Sequence, residues 1–220
     1  MSQATVELMN DIRRSYPDFK LLRKEDSLLM KIIHVFLLCI TFGMQRRFMT
    51  DFVTTIGNTI YVPKGWDGWE ETMRLIVLRH ERVHMDQRRH YGPLLYSFIY
   101  LAWPFPLFLA CGRAVLEREA YRESMVAEYE YAKGKRAVLY LDAYKEWYIS
   151  NFTGSAYAWM WPFRSQVEKW FMADRAIAIA EGKLRLQLQQ ESREGEVIQL
   201  KAKKSETIVP PPPDPPKPAA

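Results

Sequence analysis

"LRHERVHMDQRRH", residues 78–90, holds three of the chain's four histidines and sets a glutamate directly after the first. His80-Glu81-Arg82-Val83-His84 fits the pattern H-E-x-x-H. On an α-helix, residues four apart share a face, so both imidazoles can reach one Zn2+. Glu81 is offset from that face: it misses the metal and stands beside a metal-bound water, where it can act as general base. The pattern has three fixed letters, and a chain of this length contains it by chance with odds on the order of one in two hundred. The surrounding sequence therefore has to decide between a metal site and two ordinary core histidines.

Upstream, "MTDFVTTIGNTIYVP" (49–63) is rich in β-branched and aromatic residues around Gly57-Asn58, which predicts a hairpin with strands near 51–56 and 59–62. "DGWEETMRLIVLRHERVHMDQRR" then reads as a helix capped by Asp67, with Glu70 completing a capping box. Trp69, Met73, Ile76 and Val77 form its apolar stripe, and seven residues beyond Met73 and Val77 stand His80 and His84. Both histidines are expected to point inward.

A strand, then a helix with H-E-x-x-H, then a later helix supplying a third ligand resembles the zincin metallopeptidases. The resemblance covers about residues 50–131. It implies a predominantly helical α+β fold, a small hairpin or sheet before the active-site helix, bound zinc, and a peptide or protein substrate. It also implies that 59–62 is an edge strand which pairs with extended substrate.

A catalytic zinc site needs a third protein ligand. In the gluzincin branch this is a glutamate on a later helix, and "GRAVLEREAYRESMVAEYEY" offers two. Glu117 shares a face with Ala120, Tyr121, Ser124, Ala127 and Tyr131, small or aromatic residues suited to close helix packing. Glu119 shares its face with Arg122, Glu123 and Glu130, which reads as solvated. Glu117 is preferred and Glu119 held in reserve. The metzincin branch offers His90 instead, by the spacing H-E-x-x-H-x5-H. That branch has glycine where this chain has Gln87, and an unbroken helix carries His90 about 9 Å past His84. Tyr157, Tyr121, His90 and Arg164 have the chemistry of an oxyanion donor, and Tyr157 is the one carried forward.

Elsewhere, residues 5–24 read as a weakly amphipathic helix broken by Pro17. Two apolar runs, 27–42 and 93–112, flank the motif. The first is short for a bilayer span and the second holds Pro104 and Pro106, so both read as buried or as peripheral membrane contacts. Further helices are expected at 114–133, 136–151 and about 165–182. The composition divides the chain into a domain at 1–183 and a polar, proline-rich tail at 184–220, which reads as a disordered spacer or a ligand for a recognition module.

The net charge of +5 comes with no basic run interleaved with aromatics, so nucleic acid is not the expected partner. Cys39 and Cys111 suggest free thiols in a reducing compartment. The first twenty residues have no apolar h-region, and the expected location is cytoplasmic, with membrane association left open. The alternative to a peptidase is a membrane-associated or catalytically inactive zinc-binding protein on the same fold.

Overall fold

The computed structural model describes residues 2–102, 109–132, 138, 141–155 and 159–206, without the side chains of 196–198 and 200–206. It divides into two units, Met1–Gly182 and Lys183–Ala220.

The first unit is mostly helical with one three-stranded mixed sheet. Its elements are α1 (Gln3–Ser15), β1 (Lys20–Arg23), α2 (Leu28–Ile40), β2 (Thr54–Ile56), β3 (Thr59–Val62), α3 (Glu71–Tyr91), α4 (Pro93–Ala102), α5 (Cys111–Tyr131), α6 (Lys145–Thr153) and the first part of α7 (Arg164–Glu206).

β2 and β3 form the expected hairpin, pairing Ile56 with Thr59 across a two-residue loop. Gly57 takes φ +65°, the positive value such a loop needs at its first position. The third strand lies outside the sequence expectation. Residues after Pro17 leave the helix and form β1, which runs parallel to β3 with Leu21 opposite Ile60. The order β1-β3-β2 makes β3 the central strand. Both its edges are hydrogen-bonded, so the strand at 59–62 is not the edge strand expected above.

The sheet and α1 pack on α3. Met9, Ile12, Tyr16 and Phe19 meet Ile60, Val62, Trp66, Leu78 and Met85 in one buried cluster. Burial of each large apolar side chain there contributes roughly 1.5–3 kcal/mol. Polar ties run along the same seam: Ser2 and Thr5 hydroxyls donate to Glu71, Arg82 pairs with Asp11, and the Tyr16 hydroxyl donates to Asp86.

The start of α3 differs from the sequence reading. A 3₁₀ turn occupies Lys64–Gly68, and the α-helix begins at Glu71 without a side-chain cap. Asp67 pairs instead with Arg23 at the end of β1. Met73 is 49% exposed, whereas Leu75, Ile76, Leu78, His84 and Met85 are buried. The inward face is therefore rotated from the expected stripe.

α5 is buried on most sides, which is why its sequence shows no clear apolar stripe. It meets α3 across the small residues Ala120, Ser124 and Ala127. Arg79 of α3 donates to Glu130 at 2.6 Å and to Glu123 at 2.7 Å on α5. The acidic face read as solvated is thus half covered by one arginine. Arg118 donates to the fully buried Asp174 of α7 at 2.7 Å, and the Tyr148 hydroxyl of α6 donates to the same carboxylate at 3.2 Å.

In the second unit α7 remains helical through Glu206, where the sequence suggested a tail beginning at 184. Its surface reads as solvated, and local i,i+4 bonding such as Gln190 to Glu194 accompanies the helix. The proline-rich segment 207–220 lies outside the described residues.

Candidate metal centre

His80 and His84 stand one helical turn apart on α3, and Glu117 faces them from α5. One ligand atom from each lies within 4.8 Å of the others. Glu117 Oε2 is 3.4 Å from His80 Nε2 and 3.7 Å from His84 Nε2. Two ligands about 2.1 Å from a tetrahedral centre are separated by about 3.4 Å, so the donor spacing suits an ion such as zinc. Glu117 is 2% exposed, and its Oε2 has no hydrogen-bond partner. A buried carboxylate oxygen left without a donor is costly unless something positive meets it.

The far side of each imidazole is held. His80 Nδ1 is 3.1 Å from Ser124 Oγ, and Ser124 in turn donates to Ala120 O at 3.2 Å. The serine's proton is thereby spent on the carbonyl, so His80 Nδ1–H donates to the serine. His84 Nδ1 is 3.0 Å from Gln87 Oε1. The Gln87 amide nitrogen donates to Leu116 O and to Glu119 Oε2, each at 2.9 Å, which fixes its oxygen toward the histidine. Both Nδ1 atoms act as donors, so both Nε2 atoms turn toward Glu117. Such outer hydrogen bonds orient histidine ligands.

The remaining Glu117 oxygen, Oε1, accepts from the Tyr100 hydroxyl of α4. Burial, then the nearby Glu117 charge, push the Tyr100 phenol well above its ordinary value, so it stays a donor. Its ring meets His84 edge-on at 5.8 Å, and the Tyr121 ring meets His80 edge-on at 4.9 Å. Burial alone would pull His84 down, but the Glu117 carboxylate outweighs it and lifts the imidazole to about 9. Glu117 is held well below the usual carboxylate value by the two histidines, against the opposing effect of burial. A cation held by this pair would have to displace a proton from it.

Glu81 is 6% exposed, and its Oε2 accepts from Thr55 Oγ1 of β2 at 2.7 Å. Beneath it, Lys24 is fully buried, donates to Phe48 O at 2.7 Å and lies 3.7 Å from the Phe48 ring centroid. Burial pulls this ammonium down to about 7, and attraction to Glu81 opposes the shift.

The structure thus brings together His80, His84 and Glu117, with Glu81 outside that group and bonded to Thr55. Glu119 stands apart, engaged with Gln87. His90 is exposed at the end of α3, stacked edge-on against Tyr91. Arg164 pairs with Glu146 on the surface. Tyr121 packs among Tyr148 and Phe152 as well as His80. Tyr157 lies outside the described residues. Sequence reasoning overlooked Tyr100, Gln87, Ser124, Thr55 and Lys24 as parts of the site. Only Tyr100 left a trace there: Tyr96 and Tyr100 sit four apart on the polar side of an otherwise apolar run.

No family model matches the chain, and no curated protein or solved structure matches it either.

Proposed function

We propose that the chain is a zinc-dependent peptidase of the zincin type with a gluzincin ligand set: His80, His84 and Glu117. The observation that carries this reading is the buried Glu117 Oε2, which makes no hydrogen bond and faces two imidazole nitrogens at 3.4 and 3.7 Å. Two nitrogens and one carboxylate oxygen form the donor set of a zinc site that keeps one position open. When bound there, the metal lowers the pKa of a water and polarises a carbonyl.

The chain's own residues supply the rest. Glu81, adjacent in sequence to a ligand but outside the cluster, takes the proton of the attacking water and passes it to the leaving amine. Thr55 holds the Glu81 carboxylate at Oε2, leaving its other oxygen for that proton. Tyr100 holds Glu117 at Oε1, which leaves Oε2 for the metal. An extended peptide adds to the outer edge of β2, because β3 is paired on both sides. β2 is also the strand whose Thr55 reaches the base, so substrate and base share one edge.

The test is metal content and peptide cleavage on the purified full chain. About one zinc per chain is expected, with cleavage of an unstructured peptide pool abolished in Glu81→Gln while zinc is retained. A parent protein that binds no divalent metal ends this reading. Cleavage by Glu81→Gln at the parent rate ends the proposed role of the base.

A further inference from the structure

The outward faces of α2 and α4 are apolar, and the chain around them is basic. Of the 13 residues of α2, Met30 alone is buried. Leu28, Ile32, Val35 and Phe36 are 71%, 58%, 59% and 60% exposed, at the three-to-four spacing of one helical face. Just beyond the helix, Phe42 is 92% exposed and holds φ +50°, a strained backbone for a bulky residue with nothing packed around it. α4 repeats the pattern with Leu94, Phe98 and Leu101, 87%, 51% and 62% exposed. A contiguous exposed apolar face of this kind marks an interaction site.

The charges within the stretches that carry these faces are cations, bounded by Asp26 and Asp51 and by Asp86 and Glu117. Between Asp26 and Asp51 the sequence carries Lys31, Arg46 and Arg47 and no acid. Between Asp86 and Glu117 it carries Arg88, Arg89 and Arg113 and no acid. Arg47 pairs with Asp51, yet its side chain remains 80% exposed. No helix among the described residues is long and apolar enough to cross a membrane. At 1.5 Å per residue α2 is about 20 Å long, against a hydrocarbon core of about 30 Å. Apolar residues on one face, in a stretch whose internal charges are all cations, suit a helix lying in the plane of an anionic lipid surface.

We infer that the α2 face and the Phe42 tip dock on an anionic bilayer, with Arg46 and Arg47 at the phosphate level and the α4 face as a second contact. A second copy of the chain fits this face less well. A parallel two-fold pairing of α2 would set Lys31, Arg46 and Arg47 against their own equivalents. This inference stands apart from the metal chemistry.

The experiment is flotation of the full chain with two vesicle types: pure phosphatidylcholine, and the same lipid with about 30% phosphatidylserine. The parent floats with the anionic vesicles, and raising the salt releases it. Each cation near such a surface is worth about fivefold in partition, so Arg46→Gln with Arg47→Gln lowers it about 25-fold. Ile32→Asp with Phe36→Asp removes binding, and both double variants keep the parent's circular dichroism because all four positions are exposed. Three results overturn the inference: a parent that does not float, a parent that floats equally with both vesicle types, or an Ile32→Asp/Phe36→Asp variant that floats like the parent. A vesicle-indifferent parent dimer that the same aspartates convert to monomer assigns the face to a second copy instead, and also overturns it.

Discussion

Gln87 fixes His84. Its side-chain oxygen accepts from His84 Nδ1 at 3.0 Å, while its nitrogen donates to Leu116 O and Glu119 Oε2. The amide cannot flip without losing both donor contacts, so the Nε2 lone pair of His84 is committed to the Glu117 side. Gln87→Met keeps the volume and removes the orientation. It should weaken zinc binding about 10–100-fold while preserving one site per chain. Competition with a chelator reads this directly, and an unchanged affinity would show that His84 needs no such support.

Glu117→Gln should weaken zinc by more than that 10–100-fold, because it removes a negative charge as well as a ligand atom. Glu119→Gln keeps an oxygen for the Gln87 amide and should stay within tenfold of the parent. His90→Ala, at the exposed end of α3, should match the parent. The same chelator competition ranks the three variants. Loss of metal in His90→Ala alone would transfer the site to the metzincin spacing.

Thr55→Val removes the donor that holds Glu81 Oε2 without changing the shape of β2. Peptide cleavage should fall through kcat, with zinc content unchanged, and by less than the roughly 10²–10⁴-fold that loss of a general base costs. A Thr55→Val enzyme with the parent's kcat would mean that the sheet does not orient the base.

Lys24 makes stability depend on pH. Its folded value is pulled to about 7 by burial, below the ordinary 10.5. Between these values the unfolded chain binds a proton that the folded chain does not, so stability rises with pH from about 7 to 10.5. The penalty is full below pH 7, on the order of 5 kcal/mol. Lys24→Met removes it. Urea midpoints measured from pH 6 to pH 10 should show a smaller rise for Lys24→Met than for the parent. Parallel curves would mean that Lys24 keeps its ordinary affinity for protons.

Gly182→Ala tests the seam between α5 and α7. A Cβ there would lie 2.5 Å from Tyr129 Cδ1 and 3.1 Å from Tyr129 Cβ, too close for a ring rotation alone to relieve. The expected destabilisation is about 1–3 kcal/mol, the usual effect of overpacking. A denaturant titration reads it, and an unchanged midpoint would show that the helices part at no cost.

How far the sequence reaches into this structure depends on the range of the forces involved. The hairpin around Gly57 and the placing of His80, Glu81 and His84 on one helix follow from local spacing, and the structure contains both. The preference for Glu117 over Glu119 came from the small residues beside it, and Ala120 and Ser124 do bring α5 close enough to α3 for Glu117 to face the histidines. The other face is not solvated throughout, because Arg79 covers Glu123 and Glu130 from a different helix. β1 was hidden because a four-residue strand takes its stability from β3, nearly forty residues later. Asp67 had the local chemistry of a cap, and a distant Arg23 claimed it. Lys24 and Gln87 have no local signature of their roles, since each is defined by what folding places opposite it.

α4 is one helix thick, with Tyr100 bonded to Glu117 on one side and Leu94, Phe98 and Leu101 open to the outside on the other. Anything that seizes the outer side acts on the same rigid rod that carries the tyrosine. Thermodynamic reciprocity then binds the two sides: if occupation of the outer face changes metal affinity by some factor, metal must change the affinity for that occupant by the same factor. The helix would then couple the two sides in both directions, and one measured factor would predict the other.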